Sequence, residues 1–289
     1  MQFVSRYDYH VHDSFSRDAP EASLESIIEI GEKKGLEEIC FTSHLIVEGP
    51  DKKLGLQTNE IETYIENILK NDDDTIIKLR IGFEVDYFPE KERYIEKLLE
   101  EYSVDFILGS THYINGIDIG SRIGAKKFFK DRQLSEAIDE YFTTWSQAIY
   151  SGLFDVMAHP DYWKKFLIDE NKGQINWKNY GDEVYSAIFA LADNDIGFEV
   201  NTSAVRAGWD SFYPLKEFLR HAKEYGVEKV TIGSDTHSPE NLGHELPNAV
   251  KQLEEAGFQF ISVFSKRKDG KIPIDQVTKE FNADLLNTI

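Results

Sequence analysis

Residues 6–44 read RYDYHVHDSFSRDAPEASLESIIEIGEKKGLEEICFTSH, and this stretch holds one complete structural unit. Arg6–Val11 is a short strand-like run. Ser23–Lys34 is amphipathic: Leu24, Ile27 and Ile28 recur at three- and four-residue steps, as a half-buried helix requires. Gly35 stands where a left-handed cap would end that helix, and Glu38–Thr42 is the next strand-like run. The unit then repeats in pattern, though not in sequence identity. Strand-like runs follow at Lys78–Val85, Val104–Gly109, Leu153–Ala158, Ile196–Val200 and Lys229–Gly233. Between them lie helical stretches at Glu60–Leu69, Pro89–Tyr102, Ser135–Tyr150, Lys178–Asp193 and Tyr213–Tyr225. In the fourth helix Ala137, Tyr141, Trp145 and Ala148 keep the helical spacing. Gly152, Gly197, Gly226 and Gly257 are expected to punctuate helix ends as Gly35 does. Such alternation implies an α/β fold with a parallel sheet. Seven or eight units on 289 residues suit a closed or nearly closed barrel better than an open sheet. No Pro/Ser-rich linker splits the chain, so one domain is expected over residues 1–289. After Gly257 come one more strand-like run, Phe258–Phe264, a polar turn and an edge segment.

The chain carries 32 Lys+Arg against 52 Asp+Glu, a formal charge of −20. A hydrophobic content of 41% is enough for a real core. The acidity argues against a non-specific nucleic-acid binder, which needs a basic face to displace counterions, and against docking on anionic membranes. Cys40 stands alone, so no intrachain disulfide can form and a reducing compartment is expected. The N-terminal MQFVSRYDYH has no apolar stretch after a basic start, and no run of ~18 apolar residues occurs. These features predict neither a secretory signal nor a membrane span, and a cytoplasmic setting. The oligomeric state is not legible. The question is what so acidic a chain would bind.

The C-terminal ends of the strand-like runs answer it. The first ends in His10-Val11-His12, the second in Ser43-His44, and the third carries Glu84. The fourth ends in Thr111-His112, the fifth in His159-Pro160-Asp161, and the sixth runs into Glu199 and Asn201. The seventh ends in Asp235-Thr236-His237. In a parallel barrel these ends converge on one face, where active sites form. Six of the eight histidines belong to this set. Imidazoles with carboxylates suit Zn²⁺, Mn²⁺ or Fe²⁺. His10 and His12, two apart on a strand, point the same way, and Asp235 and His237 repeat that spacing. Glu84 can bridge two ions, one oxygen to each. The number of candidate ligands favours two or three ions. Taken singly, a core hydrogen bond would explain His112 or His159, and a helix cap would explain His44. Their joint placement favours metal. Glu199 and Asn201 are candidates for supporting the ligands. Asp161 either orients a ligand histidine or caps the next segment. His221 and His244 read as packing or structural residues.

At these residues the sequence resembles the polymerase-and-histidinol-phosphatase (PHP) superfamily of metal-dependent phosphoesterases. The resemblance rests on Asp8-Tyr9-His10-Val11-His12, Thr42-Ser43-His44, Gly82-Phe83-Glu84, Gly109-Ser110-Thr111-His112, Ala158-His159-Pro160 and Gly233-Ser234-Asp235-Thr236-His237-Ser238. Residues 12–18, HDSFSRD, and Glu199-Val200-Asn201-Thr202-Ser203 resemble the histidinol-phosphatase branch. The resemblance implies a distorted (β/α)₇ TIM-like barrel and a trinuclear centre. It implies a first metal on His10, His12, Glu84 and Asp235, a second on Glu84, His112 and His159, and a third on His44 and His237. Many members place another histidine six residues after the second histidine of the first strand. Here that position is Asp18, which is left as either a ligand of the third metal or an acid–base group, against a plain turn aspartate before Ala19-Pro20.

The chemistry expected of such a constellation is phosphate-ester hydrolysis by metal-activated hydroxide. Asp18, His44 or His237 would route a proton to the leaving oxygen. Arg206, five residues after Asn201, is expected to clamp phosphate with its planar fork. Lys164 and Lys165 follow Tyr162-Trp163, and Lys165 is a second candidate phosphate contact. Between Ser121 and Gln133 lie Arg122, Lys126, Lys127, Lys130 and Arg132 against Asp131, either a funnel for a phosphate substrate or the basic face of a helix. The loops Leu45–Gln57 and Pro160–Trp177 are long enough to close over a small substrate. The branch resemblance predicts hydrolysis of L-histidinol phosphate to L-histidinol and phosphate, in histidine biosynthesis. The alternatives are another small phosphate ester or a nucleotide, and a non-catalytic metal-stabilised module.

Overall fold

A computed structural model describes residues 2–167 and 175–281. Seven parallel strands form the body of the molecule: β1 (Tyr7–Val11), β2 (Glu38–Phe41), β3 (Lys78–Asp86), β4 (Phe106–Ser110), β5 (Val156–Met157), β6 (Gly197–Asn201) and β7 (Val230–Gly233). Each strand pairs with the next in chain order, the arrangement that successive βα units produce when every crossover has the same hand. The sheet closes where β1 meets the residues after β7, through a parallel bridge between Val11 and Thr236. His12 N donates to Thr236 O at 2.9 Å there. Seven strands in a nearly closed barrel agree with the expected (β/α)₇ architecture.

Helices α1 (Leu24–Lys34), α2 (Ile61–Asp72), α3 (Glu92–Glu100), α4 (Arg122–Phe129), α5 (Leu134–Tyr150), α6 (Glu183–Asn194), α7 (Lys216–Glu224) and α8 (Leu246–Glu255) accompany the strands. The opening unit forms as its sequence predicts. Ser23 caps α1 by accepting from Ser26 N, and Gly35 ends it at φ 76°. Leu24, Ile27 and Ile28 are buried, which is what fixes the helix on the sheet. Two expectations shift. Gly197 lies inside β6, and the left-handed cap of α6 falls on Asp195 at φ 53°. Aspartate tolerates that conformation because its short side chain can hydrogen-bond locally. The basic Ser121–Gln133 segment is mostly the short helix α4, capped by Ser121.

The barrel interior is filled by Tyr9, Cys40, Phe106, Leu108, Val156 and Ala158. Its N-terminal mouth is plugged by an antiparallel hairpin, Phe260–Ser265 with Lys268–Pro273, which includes the strand-like run expected after Gly257. Phe264 enters the interior cluster, and its N–H donates to Tyr9 Oη at 2.8 Å. Arg267 Nε donates to Asp155 at 3.1 Å and Nη2 to Leu153 O at 2.9 Å. With that end sealed, the C-terminal mouth is left for chemistry. No described helix is long and apolar enough to cross a membrane. Part of the Pro160–Trp177 loop, residues 168–174, and the tail beyond 281 lie outside the described residues.

Candidate metal centre

Glu84 sits at the middle of the C-terminal mouth because β3 is the longest barrel strand and carries it in past its neighbours. Its Oε2 lies 2.9 Å from His44 Nδ1, 3.2 Å from His10 Nε2 and 3.5 Å from His12 Nε2. Its Oε1 lies 3.0 Å from His159 Nε2 and 3.5 Å from His112 Nε2. The carboxylate therefore divides two sets of imidazoles, one per oxygen. His44 is brought there by a two-residue strand, His44–Leu45, that pairs in register with Glu84–Val85. The second strand-like run thus ends at Phe41, and His44 belongs to a separate ladder.

On the first side, Asp235 Oδ1 lies 3.4 Å from His12 Nε2 and 3.6 Å from His10 Nε2. His10, His12, Glu84 and Asp235 thus stand together, and so do Glu84, His112 and His159. Around His44 and His237 the geometry is tighter than the paired assignment suggests. Among the described residues, three groups have ligand atoms within 4.8 Å of one another: His12, His44 and His237; His10, His12 and Asp235; His44, Glu84 and His112. His12 and His44 each belong to two of these groups. Asp18 Oδ2 approaches His237 Nε2 at 3.2 Å and His44 Nε2 at 3.4 Å, so it joins the cluster at its open edge.

The donor set fits divalent metal. The Nε2 atoms of His10 and His12 face each other at 3.0 Å, and those of His112 and His159 at 3.2 Å. Nitrogen lone pairs so close call for a cation or a proton between them. Glu84 Oε2, fully buried, has three imidazole nitrogens within reach but no aligned hydrogen bond. A divalent ion shared by that oxygen and those nitrogens would satisfy them all.

Electrostatics point the same way. Burial disfavours charge on His10, yet Glu199, Asp235 and Glu84 outweigh it and hold its pKa well above the ordinary 6.5. His44 is raised likewise, against burial, by Glu84 and Asp18, and His112 by Asp86 and Glu84. His12 goes the other way, lowered by burial and by the neighbouring imidazoles of His237 and His44. Burial raises Glu84, Asp235 and Asp18, but the surrounding imidazoles win and hold all three below the carboxylate range.

A supporting layer orients the ligands. Glu199 Oε1 lies 2.8 Å from His10 Nδ1, and its Oε2 accepts from His159 N at 3.1 Å and Asn201 Nδ2 at 3.1 Å. Ser203 Oγ donates to Asp235 Oδ2 at 3.0 Å. Asp86 Oδ1 lies 3.1 Å from His112 Nδ1, and Ser16 Oγ lies 3.1 Å from His12 Nδ1. Such partners fix ring orientation and tautomer. One candidate ligand position carries backbone strain: His159 at φ 25°. Asp8 ties β1 to the loop after β7, accepting from Ser234 N at 2.9 Å, Ser234 Oγ at 2.5 Å and Gly243 N at 3.0 Å. Sequence reasoning missed Asp86, although its two-residue offset from Glu84 placed it on the same strand face. Ser16 and Ser203 carried no such signal.

The cavity over this centre measures about 210 Å³. Lys165 lines it and donates to Tyr162 Oη at 2.7 Å, whereas Lys164 is buried against Asp161 at 2.9 Å. Three sequence expectations need correction. Arg206 does not line the cavity; its Nη2 donates at 2.7 Å to the carbonyls of Ser234 and Asp235, so it braces the Asp235 loop. Arg122 lies on α4 in a neighbouring groove with its guanidinium over Phe166, because the helix turns the basic side chains away from the centre. Asp161 orients no ligand histidine: it accepts from Lys164 Nζ, from Leu215 N at 3.0 Å and from Tyr180 Oη, holding loops together. His221 stacks on Trp177, as a packing residue would.

The PHP domain matches residues 8–203. A probable histidinol-phosphatase of Deinococcus radiodurans is 29% identical over 241 residues, covering 81% of this chain and 87% of its own. One of Clostridium acetobutylicum is 28% identical, covering 90% and 97%. The fold matches the crystal structure of the Lactococcus lactis histidinol phosphate phosphatase complexed with zinc, L-histidinol and phosphate. That match has a TM-score of 0.77 at 23% identity and covers 92% of this chain and 99% of the other.

Proposed function

This chain belongs to the PHP domain family, and on that premise we propose that it is a histidinol-phosphatase, hydrolysing L-histidinol phosphate to L-histidinol and phosphate. The carrying observation is Glu84, whose two oxygens face two separate sets of imidazoles under one cavity. The relatives of Deinococcus radiodurans and Clostridium acetobutylicum support the choice of ester. Residues 1–289 would act as one catalytic unit.

Two or three divalent ions, zinc, manganese or iron, would be held by His10, His12, His44, Glu84, His112, His159, Asp235 and His237, with Asp18 as a further ligand at the open edge. Bound there, they supply Lewis acidity at the phosphoryl group and an acidified water near neutral pH. The residues of the chain do the rest. Glu84 spaces the ligand sets. Glu199, Asp86 and Asn201 hold the ligands in one orientation. Lys165, in the cavity wall, would place a cation on the phosphate. Arg206 would reach phosphate only by turning from the carbonyls it now holds, so bracing is its resting role. Asp18, with His44 and His237 beside it, would route a proton to the leaving oxygen.

The test is phosphate release by the metal-loaded protein from L-histidinol phosphate, run beside sugar, nucleotide and serine phosphates and bis(p-nitrophenyl) phosphate, with metal content measured. Preference for histidinol phosphate is the expected result. A clear preference for the diester or a nucleotide would replace the assignment.

A further inference from the structure

The ring of His12 and the main chain of His44 meet at one hydroxyl. Ser16 is fully buried; its Oγ lies 3.1 Å from His12 Nδ1 and accepts from His44 N at 2.9 Å. The segment that carries it is tied down on both sides. Before it, Asp13 Oδ1 accepts from Ser43 Oγ at 2.7 Å and from Phe15 N at 2.9 Å, and Ser16 N donates to Asp13 O at 2.9 Å. After it, Arg17 N donates to Leu54 O at 2.6 Å, and its Nη2 reaches both oxygens of Glu60 at 2.6 and 2.7 Å. Asp18 then meets the ring of His44, its Oδ2 3.4 Å from Nε2. The turn from 13 to 18 thus holds His44 at its main chain through Ser16 and at its ring through Asp18. The rings of His12 and His44 lie 4.2 Å apart between centroids, and both residues share one candidate ligand group with His237. A hydroxyl oxygen has two lone pairs. One takes the His44 N–H, which can only donate. With the other taking a proton from His12 Nδ1, the lone pair of His12 Nε2 is left facing His10 and Asp235.

We propose that Ser16 is a positioning residue that couples His12 to His44, setting the ring tautomer of the first and the main-chain position of the second, so that the two imidazoles are ready for metal together. This rests on the reading of the cluster as a metal centre, and not on which ester is cleaved. Alanine at position 16 would leave two buried N–H groups without their acceptor. The other imidazole set takes its support elsewhere: His112 Nδ1 faces Asp86 Oδ1 at 3.1 Å, and His159 N donates to Glu199 Oε2 at 3.1 Å. Loss of the hydroxyl is therefore felt on the side of His12 and His44, and an ion held by His112 and His159 is spared.

The experiment titrates metal-free wild type and Ser16→Ala with zinc at a single pH, by chelator competition, with thermal melts of both metal-free proteins alongside. The expected result is that Ser16→Ala keeps one ion as tightly as wild type and binds the remainder about tenfold or more weakly. A merely structural role would weaken every ion alike through a less stable fold, or weaken none, and either result overturns the coupling. A second readout needs no variant. In zinc-loaded wild type carrying isotope-labelled histidine, the nuclear magnetic resonance of His12 should show a proton on Nδ1, shifted downfield by its bond to the Ser16 oxygen. A His12 Nδ1 with no proton, or with one that is not hydrogen-bonded, overturns the proposal. The two readings fail separately. A wild type that takes up no divalent ion overturns the metal centre and the coupling with it. A wild type that binds tightly, beside a Ser16→Ala variant that binds every ion as tightly, overturns the coupling alone.

Discussion

Nδ1 of His10 lies 2.8 Å from Oε1 of Glu199, with both side chains fully buried. The contact has room only because residue 233 is glycine. A Cβ there would lie 2.1 Å from Glu199 Oε1 and 2.4 Å from His10 Cβ. Glu199 fixes the tautomer that leaves His10 Nε2 free for metal. Glu199→Gln is therefore expected to lower metal affinity about 10- to 100-fold, and Gly233→Ala to do at least as much. Chelator competition measures both. Unchanged affinity in Glu199→Gln would remove the orienting role.

Among the described residues, Glu84 is the one carboxylate shared by both imidazole sets. Gln keeps its shape but offers a single neutral oxygen and an amide that repels a cation. Glu84→Gln should lose bound metal and reduce kcat by about a thousandfold or more. Elemental analysis beside turnover is the measurement. Full metal content would contradict the bridging position.

Metal uptake should release protons. Carboxylates hold His10 and His44 well above 6.5 in the metal-free protein, so both carry protons at neutral pH, and a cation must displace them. Affinity should fall as pH is lowered and rise as it is raised. Calorimetry in buffers of different ionisation enthalpy counts the protons, and a count of zero would refute the prediction.

Lys165 and Arg206 should separate kinetically. Lys165→Met is expected to raise KM for the phosphate ester about tenfold, with metal retained. Arg206→Ala frees the Ser234 and Asp235 carbonyls and should loosen the Asp235 loop, so its metal affinity falls as well. Identical behaviour of the two variants would show that the bracing contact has no consequence.

Asp13 offers a test of stability against pH. Burial pushes it from an ordinary 3.8 up to about 6, against donation from Ser43 and Phe15 N. The folded state thus holds this proton more tightly than the unfolded chain, so stability from this group falls as pH rises from about 4 through 6 and is level above. Asp13→Asn mimics the protonated form and should gain up to about 2–3 kcal/mol over wild type at pH 7–8. The gain should vanish below about pH 4. Urea unfolding at both pH values measures it, and a difference independent of pH would reject the assignment to Asp13.

The alternation of strand and helix was legible throughout because it is a local property, set by apolar periodicity and helix caps. So was the placement of His10, His12, His44, Glu84, His112, His159, Asp235 and His237. Parallel strands joined by crossovers of one hand must present their C-terminal ends on one face, whatever the loops do. What escaped the sequence depends on where a loop comes to rest. Arg206 and Arg122 have the right chemistry for phosphate, but one is held on backbone carbonyls and the other is carried off on α4. Asp161 stands two residues after His159 in sequence and turns toward Lys164 and Tyr180 in space.

The sequence by itself therefore determined the barrel and which imidazoles and carboxylates gather at its C-terminal mouth, because strand periodicity and chain direction suffice for those. Only the tertiary structure decided how His12 and His44 are shared between candidate ligand groups, and that Lys165 rather than Arg206 lines the cavity. It also decided that Ser16 meets both His12 and His44. Those outcomes rest on contacts between residues far apart in the chain, such as Asp8 with Ser234, whose geometry is fixed by the packing of the whole barrel.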